Sequence, residues 1–261
     1  MCSSSGLVAT YLTALPAVFS TYGTRVARLT CIGEVTVTDA ATRASVPLQV
    51  ECEPVLCALG PSHVAVGINN QLTFYSCATK PGAAAAVLVQ RRTYVGTVMH
   101  VQLNERVAAV LLDGRVLVHA IEPAHSSDVP DQALPLGAAG SSPQRSLQVA
   151  DPITVVGVST SFIITGSSSG VLRHHALQQG RLVALTEHRD GGGAITCAVP
   201  QPRGTRLVYC GAAHGAALLN PVSNDVLLLP SFPGSLTQVP APSARGTGAE
   251  ALERERCLCC C

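Results

Sequence analysis

One unit occurs five times along this chain, a short apolar run, a turn built from Gly, Asn or Asp, and a second apolar run, and nothing else limits its fold as strongly. The copies span 27–37, 64–75, 107–119, 162–172 and 207–219, with equivalent turn positions at 33, 70, 114, 170 and 215. The pairs Asn69-Asn70, Asp113-Gly114, Ser169-Gly170 and His214-Gly215 suit the positive φ angles of tight hairpin turns, and the β-branched runs beside them suit strands. Each unit therefore reads as a β-hairpin. The turns recur at intervals of about 37, 44, 56 and 45 residues, near the roughly 40 to 45 residues of a four-stranded propeller blade.

Further apolar stretches at 54–59, 95–103, 152–158 and 194–199 can supply the remaining strands of each blade. The longest interval contains 122–148, rich in Pro, Ser, Gly and Ala, which predicts an insertion loop over about 122–150. No sustained 3.6-residue periodicity competes with this pattern. The expected fold class is all-β: a WD40-like β-propeller, partial, with about five blade-like units over 8–239. A disordered tail rich in Pro, Gly and charge is expected over 240–261. A blade has two apolar faces and stays in solution by packing against a blade on either side. Each aliphatic side chain left open forfeits about 1.5 to 3 kcal/mol, so closure is essential, and the chain is expected to be either part of a larger ring or a truncated reading of one.

Composition narrows the function classes. Hydrophobic residues make up 47% and charged residues 13%, which excludes disorder over most of the chain. Lys and Arg total 17 against 16 Asp and Glu, and the arginines are scattered, so the basic face that nucleic acid requires is missing. Aromatics at 3% with no Trp leave little for stacking on bases or sugars. Residues 1–24 have no basic segment before Leu7–Phe19, and Thr10, Tyr11, Thr13 and Pro16 break that stretch, so neither a signal peptide nor a membrane span is expected there. Seven of the eleven cysteines lie singly, several inside strand-like runs (Cys31, Cys77, Cys197, Cys210), and read as reduced core thiols. The cluster Cys257, Cys259, Cys260 and Cys261 cannot easily wrap one tetrahedral zinc ion. S-acylation is the alternative for that tail, beside a simple chain end.

Gly166-Ser167-Ser168-Ser169-Gly170 matches the Gly-x-Ser-x-Gly pattern of hydrolases, in which a strand-to-helix turn lifts a serine hydroxyl toward a histidine base. Here the following residues, Val171-Leu172-Arg173-His174-His175, continue as a strand, and a hairpin turn occupies the same place in the other units. Were Ser168 a nucleophile, His188 and Asp190 would be its partners. His174 and His175 are adjacent, so a strand points them to opposite faces and they cannot share an ion. Asp190-Gly191-Gly192-Gly193 lacks the Lys-Ser or Lys-Thr ending of a phosphate-binding loop and reads as a plain loop. Arg91-Arg92 and Glu253–Arg256 read as solvated charge, and Glu51, Glu53, Glu105 and Glu122 show no pairing beyond what any surface provides. No catalytic, cofactor-binding or metal-ligating residue is assigned, no cofactor is expected, and the chain is not expected to be an enzyme.

Several pieces resemble, in order, the WD-repeat subunits of intraflagellar transport complex A. They include Tyr11-Leu-Thr-Ala-Leu-Pro, Thr24–Thr30 with Glu34-Val-Thr-Val, Leu59–Asn70 with Phe74-Tyr75, Tyr94-Val-Gly-Thr, Val107–Val116 with His119, Ile163-Ile-Thr-Gly and Pro202–Val208. The resemblance covers about residues 8–238, and Ala65-Val-Gly-Ile-Asn-Asn70 is its most specific part. It implies a non-catalytic scaffold in retrograde ciliary and flagellar transport and cilium assembly, located in the cilium or flagellum and basal body with a cytoplasmic pool. The implied partners are the other complex A subunits and, through them, ciliary cargo adaptors, with neither nucleic acid nor a direct membrane span. Members of that family are much longer, and the tail from Pro240 matches nothing in them. The alternatives are a propeller-type coat or adaptor in vesicle traffic and a serine hydrolase using Ser168.

Overall fold

The computed structural model describes residues 18–77, 86–123, 131–134, 151–178, 181–191, 193–212 and 215–230. These form twenty strands in five four-stranded antiparallel sheets, each a meander in which sequential strands pair. The first sheet holds β1 (Phe19–Tyr22), β2 (Arg25–Cys31), β3 (Glu34–Asp39) and β4 (Ser45–Gln49). The second holds β5 (Leu56–Leu59), β6 (His63–Ile68), β7 (Gln71–Ser76) and β8 (Val87–Thr93). The third holds β9 (Val98–Leu103), β10 (Val107–Leu112), β11 (Arg115–Ala120) and β12 (Gln132–Leu134). The fourth holds β13 (Ile153–Val158), β14 (Phe162–Ser167), β15 (Val171–Gln178) and β16 (Arg181–Arg189), and the fifth β17 (Ile195–Pro200), β18 (Leu207–Gly211), β19 (Gly215–Leu219) and β20 (Val226–Leu228).

The repeated unit of the sequence is the turn between the second and third strands of every sheet. Gly33, Gly114, Gly170 and Gly215 have φ of 80°, 83°, 83° and 72° there, and Asn69 and Asp113 reach 51° and 38°. Two successive positive φ values at Asp113 and Gly114 are those of a type I′ turn, whose twist matches the strands it joins. His214 lies outside the described residues. The stretches at 54–59, 95–103, 152–158 and 194–199 hold β5, β9, β13 and β17, the first strand of each later sheet. These strands contact one another in order around the axis, and β1 meets β5 in the same way.

Four apolar cores join consecutive sheets. Val35, Val37 and Leu48 meet Val64 and Val66 between the first and second sheets, and Leu72 and Phe74 meet Val98, Val110 and Leu112 between the second and third. Ala109, Leu111 and Val118 meet Ile153 and Val156, then Ile164 and Leu172 meet Ile195, Leu207 and Tyr209. Alternation along a strand explains why one segment serves two cores. In β10 all six residues are buried, Val107, Ala109 and Leu111 toward the fourth sheet, and Ala108, Val110 and Leu112 toward the second.

The assembly is an open, partial propeller, since no described core joins the fifth sheet to the first. Its two ends differ. The outer face of the first sheet is polar: Thr30 donates to Glu34 Oε1 at 2.8 Å, Thr36 to the same oxygen at 3.2 Å and Gln49 to Glu34 Oε2 at 3.3 Å. Thr38 and Ser45 are 3.1 Å apart on the same face. A polar outer face is what a terminal repeat needs in water. The cost expected at an open end is thus absent at the first sheet and confined to the fifth, where Val199 and Leu227 are 50% and 62% exposed. The interval predicted as an insertion contains β12, whose Gln132 to Leu134 pair with Val118 to Val116, so part of it completes the third sheet. The tail over 240–261 and Cys257, Cys259, Cys260 and Cys261 lie outside the described residues.

Candidate interaction surfaces

Several of the residues singled out for chemistry are committed to structure. Ser168 sits in the turn between β14 and β15 and donates to Asp151 Oδ1 at 3.0 Å. Ser169 gives the same carboxylate its backbone N–H at 3.0 Å and its hydroxyl at 2.6 Å. Burial works to raise the Asp151 carboxyl, but the hydrogen bonds from Ser169, Ser167 and Ser168 outweigh it and hold it below the ordinary carboxylate range. His188 Nδ1 is 2.8 Å from Asn224 Oδ1 and its Nε2 3.5 Å from the Tyr209 hydroxyl, which donates to Asp190 Oδ1 at 2.6 Å. The structure therefore joins His188 and Asp190 through Tyr209 and gives Ser168 a carboxylate instead of an imidazole.

His174 and His175 are both buried and face opposite cores. His175 Nε2 is 3.2 Å from Thr165 Oγ1, and burial pushes its pKa down to about 4. Asp190 to Gly193 lie in the connection from β16 to β17, where the Asp190 N–H donates to Gly170 O at 2.9 Å. Arg91 pairs with Glu51 at 2.7 Å and Arg92 with Asp131 at 2.5 Å, so the two arginines of the outer strand β8 reach the connection after β4 and the residue before β12. Glu122 lies 3.3 Å from His63 Nε2, whose pKa burial lowers despite that carboxylate. Among the described residues no three His, Cys, Asp or Glu side chains converge in a way that could hold a metal ion. A cleft of about 310 Å³ opens between 104–107 and 160–163, and Asn104, one of its polar side chains, is spent on the Arg106 and Val107 N–H groups and on Ser159 O.

Two internal linkages were not foreseen. Arg25, 8% exposed, donates from Nη2 to Gly60 O at 2.6 Å and Pro61 O at 2.5 Å, tying the first sheet to the second. Its one sequence signal is its place in the alternation with Ala27 and Leu29, which puts it on the inner face. His119, fully buried, sits with Nε2 2.7 Å from the Tyr94 hydroxyl and Nδ1 2.8 Å from Ala120 O. Burial lowers its pKa to about 4, so Nδ1–H donates to the carbonyl and Nε2 accepts from Tyr94.

What the stack offers to a partner is its edges. At one edge each second-to-third strand turn is bound to the segment leading into the next sheet. Val50 N–H donates to Gly33 O at 2.8 Å, Val98 N–H to Asn69 O at 2.8 Å and Ile153 N–H to Gly114 O at 2.8 Å. Asp113 and Arg115 add side-chain bonds to Thr97 N and Val95 O. From this braced rim project Ile32, Val55 and Val95, 76%, 55% and 85% exposed, one beside each of the first three sheets. Apolar points on a rigid polar frame can dock another protein surface without reorganising.

The model of the family described as the WDR19 second beta-propeller matches residues 26–240. WD repeat-containing protein 19 from Homo sapiens is 29% identical over 231 residues, covering 87% of this chain, and that from Mus musculus is 28% identical over 228 residues. WD repeat-containing protein dyf-2 from Caenorhabditis elegans is 31% identical over 138 residues, 46% of the chain and 10% of that protein. The chain spans about 16% of the length of the human and mouse relatives. Among solved structures, the crystal structure of Kluyvelomyces marxianus Hsv2 aligns with a TM-score of 0.52 at 11% identity, covering 77% of this chain and 60% of that one. A chain of the mitotic checkpoint complex aligns with a TM-score of 0.54 at 11% identity, covering 80% and 61%. These two likenesses concern the fold alone.

Proposed function

Because the chain belongs to the WDR19 second β-propeller family, we propose that it is a non-catalytic protein-interaction scaffold of intraflagellar transport complex A. In this reading it supports retrograde ciliary or flagellar transport and cilium assembly, in contact with other complex A subunits and, through them, with cargo adaptors. It works in the cilium or flagellum and at the basal body, with a cytoplasmic pool. The observation that carries the reading is the family match over 26–240, to which the architecture adds a physical reason. Ser168, Asp151, Tyr209 and Asp190 are used in linking strands, and the braced rim with Ile32, Val55 and Val95 offers contact area to a partner.

Affinity purification of the tagged full-length protein from ciliated cells, with imaging of the same tag, tests this. Recovery of complex A subunits and signal along the axoneme are expected. A protein that co-purifies with vesicle coats and stays on cytoplasmic membranes would replace the reading by the coat or adaptor alternative. A fluorophosphonate probe that labels the protein but not its Ser168→Ala variant would reinstate a serine hydrolase.

A further inference from the structure

Among the described residues, Cys197 and Cys210 are the cysteines that stand directly opposite each other in a sheet. Their neighbours Ala198 and Tyr209 are buried, so both thiols lie on the other face of β17 and β18, where each is half-buried and free. The extra residue at the register shift between Ile195 and Cys197 is Thr196, whose hydroxyl donates to Cys210 O at 3.2 Å and ties the bulge to the Cys210 backbone. The two thiols are themselves in hydrogen-bonding contact. We propose that Cys197 and Cys210 are a redox modification site, a dithiol that a small disulfide of the glutathione class closes into a cross-strand bond between β17 and β18.

Directly paired residues have Cα atoms about 4.5 to 5.5 Å apart, inside the roughly 4.4 to 6.8 Å of disulfides. Their Cβ atoms lie about 4.5 to 5.5 Å apart against about 3.5 to 4.5 Å in a disulfide, so the strands must draw together slightly. The bulge beside Cys197 interrupts the ladder there and gives that freedom. The closed bond is strained, of the kind that a reduced thiol pool reopens. Burial raises both thiols above their ordinary range, and the contact between them raises Cys197 further while it lowers Cys210, so Cys210 ionises first. Its thiolate attacks a sulfur of the small disulfide, whose S–S bond breaks, and one glutathione leaves as a thiolate and takes a proton from solvent. The Cys197 sulfur then loses its proton to solvent and attacks the Cys210 sulfur, releasing the second glutathione. Two electrons pass from the cysteine pair to the small disulfide. The second step is intramolecular between sulfurs already in contact, so it outruns a further molecule of glutathione. Cys31 and Cys57 lack such a neighbour, standing opposite Glu34 and Val66.

To test this, the full-length chain is equilibrated under native conditions in glutathione buffers of rising oxidised fraction, quenched in acid, alkylated and digested with trypsin. Cleavage after Arg203 and Arg206 puts Cys197 on 190–203 and Cys210 on 207–245, so a bond between them links two peptides. The linked pair is expected to exceed glutathione adducts at either cysteine by about ten to one, to revert when reduced glutathione is restored, and to form faster as pH rises. In Cys197→Ser the adduct at Cys210 should accumulate instead. Adducts without linkage in the parent overturn the proposal, as does preferential linkage of either cysteine to Cys257, Cys259, Cys260 or Cys261. So does a pair that stays reduced where the exposed Cys31 has taken up glutathione. Cys77, buried between the first two sheets, reports unfolding. Linkage that appears only in step with modification of Cys77 would mean that the pair meets in an unfolded chain, and also overturns it. The outcome is independent of which proteins the scaffold binds.

Discussion

At the residue scale, the groups that matter most are polar ones in apolar surroundings. Arg25 hangs two backbone carbonyls of the second sheet on one guanidinium nitrogen. Arg25→Met keeps the apolar stem and removes the bonds, leaving Gly60 O and Pro61 O short of a donor. The expected loss is about 1.5 to 3 kcal/mol, the range for hydrogen bonds to a charged group. The midpoint of urea unfolding reads this, and a change within about 0.5 kcal/mol would mean that water replaces the guanidinium. His119 and His175 make a second prediction. Burial holds both at about 4 against the ordinary 6.5, so the folded state keeps them neutral where the unfolded chain has begun to bind protons. Their contribution is whole above pH 6.5, falls as pH drops through the interval, and is fully lost near pH 4. Each accounts for at most about 3 kcal/mol over that window. Urea titrations at neutral pH and at pH about 4.5 should show the fall, and it should be shallower in His119→Asn/His175→Gln. An identical slope in that variant would move the effect to other groups.

At the scale of single elements, the distance between neighbouring sheets is set where a first strand crosses a glycine. A Cβ on Gly166 would meet Ile195 Cγ2 and Val155 Cγ1, each at 2.7 Å, inside the core between the fourth and fifth sheets. Gly166→Ala is therefore an overpacking substitution, expected to cost about 1 to 3 kcal/mol. Gly191→Ala is the contrast: φ is 68° but nothing lies within 4 Å, so only the backbone preference of about 1 to 2 kcal/mol is lost. Thermal unfolding should separate them by mechanism, because a partner change Val155→Ala, which removes the Cγ1 that the new methyl would meet, should relieve part of Gly166→Ala and leave Gly191→Ala unaltered. Absence of any such rescue would show that the fifth sheet shifts bodily to make room. The hairpins themselves were legible, since Asn69-Asn70 and Asp113-Gly114 between β-branched runs encode both a turn and its register. The outer strands were not. β20 is short and exposed, so burial imposes no alternation on it, β4 has Leu48 as its one fully buried residue, and β12 is three residues long and hidden in a stretch whose Pro and Ser content reads as loop. Side-chain linkages such as Tyr94 to His119 were equally hidden, because their partners meet only once two sheets are packed.

At the scale of the whole molecule, each sheet is held by its neighbours, so support depends on position in the row. The third sheet is covered on both faces and its β10 is wholly buried. The first sheet has one apolar core and one hydrated polar face, and β2 accordingly shows outward residues that are half-buried or exposed. In a nearest-neighbour stack the opening free energy of a unit includes the interfaces it must break, two for an interior sheet and one for a terminal one. Native-state hydrogen exchange should therefore find β10 and β11 slowest, with β2 and β3 faster by an order of magnitude or more, about 1.4 kcal/mol for each factor of ten. The fifth sheet distinguishes two arrangements of the free protein. If its outer face is bare, β18 and β19 exchange like β2 and β3; if that face is covered, they approach the interior strands. Uniform protection across all five sheets would contradict this account, because it would mean that the row opens as one cooperative body whose stability is not a sum over neighbouring contacts.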